Sequence, residues 1–134
     1  MALGKLDFPK FTKEHVLAGT LPATSTNYGI IFIADRPCEV EDFDVRYETS
    51  SSASATVQLR KVPSGTTIAA AGTAYDILAA GVALNGATAT VISGAPVQNT
   101  ELAVGDALAI VPSTTPTVLA NAHFRAKLKY LRPE

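Results

Sequence analysis

Hydrophobic and polar positions alternate most cleanly from Glu39 to Thr49 (EVEDFDVRYET). Phe43, Val45 and Tyr47 share one parity and Asp44, Arg46 and Glu48 the other, the period of a strand with one face in a core. Val40 sits on the wrong parity, which predicts a bulge near Glu41 and Asp42. The alternation returns from Asn121 to Leu131: Ala122, Phe124, Ala126, Leu128 and Tyr130 form the inward set, and His123, Arg125, Lys127 and Lys129 the outward one. Ala55 to Val62 is a further strand with Val57 and Leu59 inward, closed by Pro63-Ser64-Gly65. Thr88 to Ile92 and Ala107 to Val111 are shorter runs, bounded by Asn85-Gly86, Gly94, Pro96, Gly105-Asp106 and Pro112.

Two segments read differently. Tyr28 to Ala34 (YGIIFIA) is continuously apolar, which predicts a strand buried on both faces, one of them against another subunit. Within Gly72 to Leu84, AYDILAA places Tyr75, Leu78 and Ala79 at helical spacing, a short helical connector. The resulting seven or eight strands predict an all-β fold, a jelly-roll or Greek-key β-sandwich, with a compact barrel as the alternative. Residues 1–26 show no sustained period and read as an extended N-terminal arm, ordered on docking or paired at a sheet edge, on a sandwich domain spanning 27–134. The alternative for this stretch is a first strand and loop of the same domain.

Composition narrows the chemistry. The 134 residues suffice for one domain. Charged residues are only 17%, and Ala, Thr and Ser take their place, which suits sheet packing and subunit contacts better than a pocket of titratable groups. A net charge of −1 gives no general attraction to nucleic acid. Cys38 is the one cysteine, so no disulfide forms within the chain. Neither a signal-peptide core nor a membrane-length apolar run occurs, and a cytosolic site of synthesis is expected.

No catalytic constellation emerges, and the chain is expected not to be an enzyme. His15 and His123 are the only histidines, and neither has a nucleophile and orienting acid in sequence context. Cys38 is followed by acidic residues that raise its thiol pKa. Glu39, Glu41, Asp42 and Asp44 lie on a strand whose alternate side chains diverge, so they do not form a cation site unaided. No cofactor or metal is expected. The acidic cluster is expected instead to form salt bridges with the His123-to-Lys129 stripe, within or between subunits.

The strings GTAYDILAAGVALNGATATVISG (Gly72 to Gly94) and LAVGDALAIV (Leu102 to Val111), then a closing strand into KLKYL, resemble the small jelly-roll head decoration (cement) proteins of tailed bacteriophages. The matching positions are Gly72-Thr73 with Ile77-Leu78; Ala87 to Val91; Leu102, Gly105, Asp106 and Leu108; and Phe124 to Lys129. The chain departs from that pattern at Ala107, where a basic residue is usual, and at Ala89 or Thr90, where an Asn is usual. The resemblance implies a homotrimer on the capsid exterior of the virion, bound to the major capsid protein and stabilising the assembled head, with no direct contact to nucleic acid or membrane. On that reading Leu6, Phe8 and Phe11 contact the shell, and Tyr28, Ile30, Ile31, Phe32 and Ile33 form the subunit interface. Arg125, Lys127 and Lys129 form a basic stripe for a partner. The alternative is a receptor- or carbohydrate-binding jelly-roll module of head-fibre or tail-spike type. A cupin-type enzyme needs clustered His and Glu that the sequence does not supply.

Overall fold

A computed structural model describes residues 9–19 and 28–131. In chain order its strands are β1 (Lys10–Leu17), β2 (Ile30–Ile33), β3 (Cys38–Thr49), β4 (Thr56–Val62), β5 (Val82–Ala83), β6 (Ile92–Gly94), β7 (Glu101–Leu102), β8 (Ala107–Pro112) and β9 (Ala120–Tyr130), with one short helix, α1 (Ile68–Ala71). All pairings are antiparallel. One sheet runs β1-β9-β3-β6, with β7 also on β3; the other runs β2-β8-β4-β5. The first strand thus pairs with the last, β2 with β8, β3 with β6 and β4 with β5. This is one long hairpin wound on itself, so that β9 meets β3 and β8 meets β4: the strand order of a jelly roll.

The alternating runs form the core as their parity requires. Phe43, Val45, Tyr47, Val57, Leu59, Ala122, Phe124, Ala126 and Leu128 are all essentially inaccessible to solvent. The register of β3 on β9 shifts between Val40 and Asp42, so the bulge lies where the parity break puts it and Val40 stays buried. The Gly-Asp turn before β8 has a physical basis: Gly105 takes φ 91°, and buried Asp106 accepts hydrogen bonds from the N–H groups of Ser64 (3.1 Å) and Ala103 (2.9 Å).

Two expectations are corrected, for AYDILAA and for Thr88 to Val91, and two segments are placed. Within one chain β2 lies at a sheet edge and none of its four residues is buried, so the face with Ile30 and Ile33 is turned outward. The strand buried on both faces is β8: Leu108 and Ile110 enter the main core, while Ala107 and Ala109 form a second cluster with Val62, under Ile68 of α1. Among the described residues helix is limited to α1 and a 3-10 turn at Thr73–Tyr75, because Gly72 at φ 68° ends α1. The following residues run extended against β4, with Ile77 N–H bonded to the Leu59 carbonyl (2.8 Å) and Leu78 N–H to Gln58 Oε1 (2.8 Å). Thr88 to Thr90 form a turn rather than a strand, which begins only at Ile92; Ala89 takes φ 53° and its N–H bonds to the Tyr47 carbonyl at 2.8 Å. Residues 10–17 of the N-terminal stretch are a sheet strand paired with β9 along its whole length, the placement at a sheet edge that both readings of that stretch allow.

The connector is anchored by a buried ion pair. Arg60 Nε lies 2.7 Å from Asp76 Oδ1, with side-chain exposures of 10% and 16%. The guanidinium also reaches the Ile68 carbonyl (3.4 Å), and the Asp76 carbonyl accepts from Gln98 and Asn99. Removing one partner leaves the other charge buried alone. Asp76→Ala is therefore expected to lower stability in urea unfolding by about 3 kcal/mol, whereas Arg60→Met with Asp76→Leu recovers most of that loss. A loss below about 1 kcal/mol for the single variant would show that the pair is not desolvated.

Candidate interaction surface

The outer face of the β1-β9-β3 sheet is a lattice of alternating charge. The register sets Asp44 opposite Arg125, Glu39 opposite Lys129 and Asp42 opposite Lys127. Arg125 Nη2 lies 2.6 Å from Asp44 Oδ2, and Ser93 Oγ donates to Asp44 Oδ1 at 2.7 Å. Lys129 reaches Glu39 (3.7 Å) and Glu41 (3.4 Å), and Glu41 also receives Lys10 (3.3 Å). His123 Nε2 sits 2.5 Å from Glu14 Oε1. The acidic cluster and the basic stripe therefore neutralise each other within one chain. Of the three basic residues read as a partner stripe, Arg125 and Lys129 are so engaged, while Lys127 makes no ion pair among the described residues.

Burial works to raise the Asp44 and Glu41 carboxyls, but hydrogen bonds from Arg125 and Ser93 in one case, and from Lys10 and Lys129 in the other, hold both below their ordinary values. A surface depression of about 210 Å³ is lined by Asp44, Val45, Arg46, Val91, His123 and Arg125. Burial, then Asp35 and Asp106, push the Cys38 thiol up to about 11, so the thiol form prevails near neutrality. Among the described residues no group of three or more His, Cys, Asp or Glu could hold a metal ion, and no helix is long and apolar enough to cross a membrane.

The other notable surface is the side of the sandwich where β1 and β2 end their sheets. A chain of stacked groups closes the gap between the two edges. The Arg36 guanidinium lies 3.9 Å from the centroid of Tyr130, Tyr130 stacks on Phe11 at 4.5 Å, Phe11 meets Phe32 at 5.4 Å, and the Lys13 ammonium sits 5.3 Å from Phe32. Phe11, read as a shell contact, is thus half-buried and committed to this cluster; Leu6 and Phe8 lie outside the described residues. Of the five residues read as a subunit interface, Tyr28, Ile31 and Phe32 pack half-buried against the core, while Ile30 and Ile33 are 51% and 63% exposed.

The outer residues of β1 were missed by sequence reasoning. KFTKEHVL alternates as a strand should, but Lys13 and His15 occupy inward positions and break the apolar signal. Cation–π contacts satisfy Lys13 there, an arrangement that hydropathy does not register. No family model, curated protein or solved structure matches the chain.

Because Asp44 and Glu41 titrate lower in the folded chain than their ordinary values, their contribution is complete above the unfolded carboxylate range and is lost as pH falls through the folded values. The thermal midpoint is expected to stay level from pH 7 to about 5 and to fall below about pH 4. Asp44→Asn is expected to lower the midpoint at pH 7 and to flatten the acid fall. Parallel pH profiles for the two proteins would show that Asp44 carries none of it.

Proposed function

We propose that the chain is a decoration protein of a tailed-bacteriophage head, a homotrimer that binds the outside of the assembled shell and stabilises contacts between major capsid protein subunits. The resemblance over residues 72–131 motivates this reading, and a jelly roll is the fold it implies. The observation that carries it is the exposed apolar pair Ile30 and Ile33 on the open β2 edge, a surface suited to a subunit contact. The mode of action is mass action: a protein that binds only the assembled lattice shifts it away from disassembly, and many copies on a closed shell act together.

The test is co-sedimentation of the purified chain with expanded, DNA-free heads assembled from the major capsid protein of the same genome. Saturable binding that makes the heads more resistant to heat is expected; a chain that stays in the supernatant rejects the reading. Removing residues 1–8 leaves β1 intact and is expected to abolish binding with an unchanged circular dichroism spectrum. Undiminished binding by this truncation would exclude Leu6 and Phe8 as shell contacts.

A further inference from the structure

Among the described residues strand β1 ends its sheet, and the register shows which backbone groups face the open side. The Tyr130 N–H donates to the Pro9 carbonyl at 3.0 Å, and across the same strand the Leu131 N–H donates to the Pro37 carbonyl at 3.0 Å. In an antiparallel ladder each residue turns both backbone groups to one neighbour, and the next residue turns both to the other. Phe11, Lys13, His15 and Leu17 therefore bond to β9, while Lys10, Thr12, Glu14 and Val16 direct N–H and C=O to the open edge. All four of these side chains are exposed. Over its eight residues β1 has no proline and no register shift, two devices that commonly blunt an edge; β2 does carry a register shift.

This edge is complementary to itself. We propose that β1 pairs antiparallel with β1 of a second copy about a two-fold axis at Thr12, joining the two charged sheets into one. In that register Lys10 lies opposite Glu14 of the second copy on both sides of the axis, and Thr12 faces Thr12. On the inner face Phe11 lies opposite Lys13 of the second copy, the pairing of types that Lys13 already makes with Phe11 in its own chain. Other registers lose this match. An axis at Glu14, Lys13 or Lys10 opposes like charges, and an axis at Phe11 sets Lys10 against Thr12. Edge lysines ordinarily discourage pairing; here they admit one register. Lys10 and Glu14 are 68% and 51% exposed even while bonded to Glu41 and His123, so both can reach across. The contact is two-fold and uses β1, whereas the proposed subunit interface uses β2, so it stands independently of the decoration reading.

Sedimentation equilibrium of the full chain tests it. Thr12→Pro removes an N–H that points away from β9, a position where an edge strand tolerates proline. The wild-type mass is expected to be twice that of this variant: dimer against monomer, or two trimers against one. Lys10→Glu is expected to weaken pairing about tenfold, and Lys10→Glu with Glu14→Lys to restore it, because the exchange preserves opposite charges across the axis. Oxidised Thr12→Cys is expected to give a covalent dimer through residue 12, the native Cys38 being buried. A mass unchanged by both Thr12→Pro and Lys10→Glu overturns the proposal; should Thr12→Pro alter the circular dichroism, Lys10→Glu decides alone. An unchanged trimer that still binds heads would remove this contact and keep the decoration reading, and a halved mass without head binding would do the reverse.

Discussion

Everything in this sandwich leans on β9. It is hydrogen-bonded to β3 from Cys38 opposite Tyr130 to Thr49 opposite Ala120, and its other edge holds the whole of β1. Its inward side chains, Phe124 and Leu128 foremost, fill the core between the sheets, and its outward ones bind the carboxylates of β3 and β1. The last strand must therefore be in place before the first has a neighbour in its sheet. Sequence ends meet here as the winding of a jelly roll demands, and most of the stabilising contacts join residues far apart in the chain.

The strands that could be read from the sequence are those in which one face is core and the other water. β3 and β9 have that character, and even the bulge at Glu41 was legible, because a slip of one residue reverses every side chain beyond it. Burial on both faces confounded the reading in opposite ways. The YGIIFIA run is apolar throughout yet lies at an edge, while the small alanines of β8 gave little sign of the helix that packs on them. The AYDILAA segment follows contacts rather than period: Gln58 and Leu59 offer hydrogen bonds that an extended chain can use and a helix cannot. In β1 a lysine bonded to aromatic rings took a core position.

A basic stripe and an acidic cluster, each suggestive alone, turn out to be the two halves of one internally neutral face. Arg125 and Lys129 spend their charge on β3, which leaves Lys127 as the member of the stripe without an ion pair among the described residues. What the molecule offers outward most plainly is backbone and aliphatic surface at the β1 and β2 edges, where recognition depends on strand geometry more than on net charge.

The stacked groups between those edges have an optical consequence. The chain has four tyrosines and no tryptophan, so its near-ultraviolet signal comes chiefly from tyrosine. Tyr130 is the tyrosine held between a guanidinium on one side and the Phe11 ring of β1 on the other. A fixed ring in so asymmetric a setting has strong circular dichroism, whereas a ring released into water has little. The protein thus carries its own spectroscopic reporter of whether the first strand is seated.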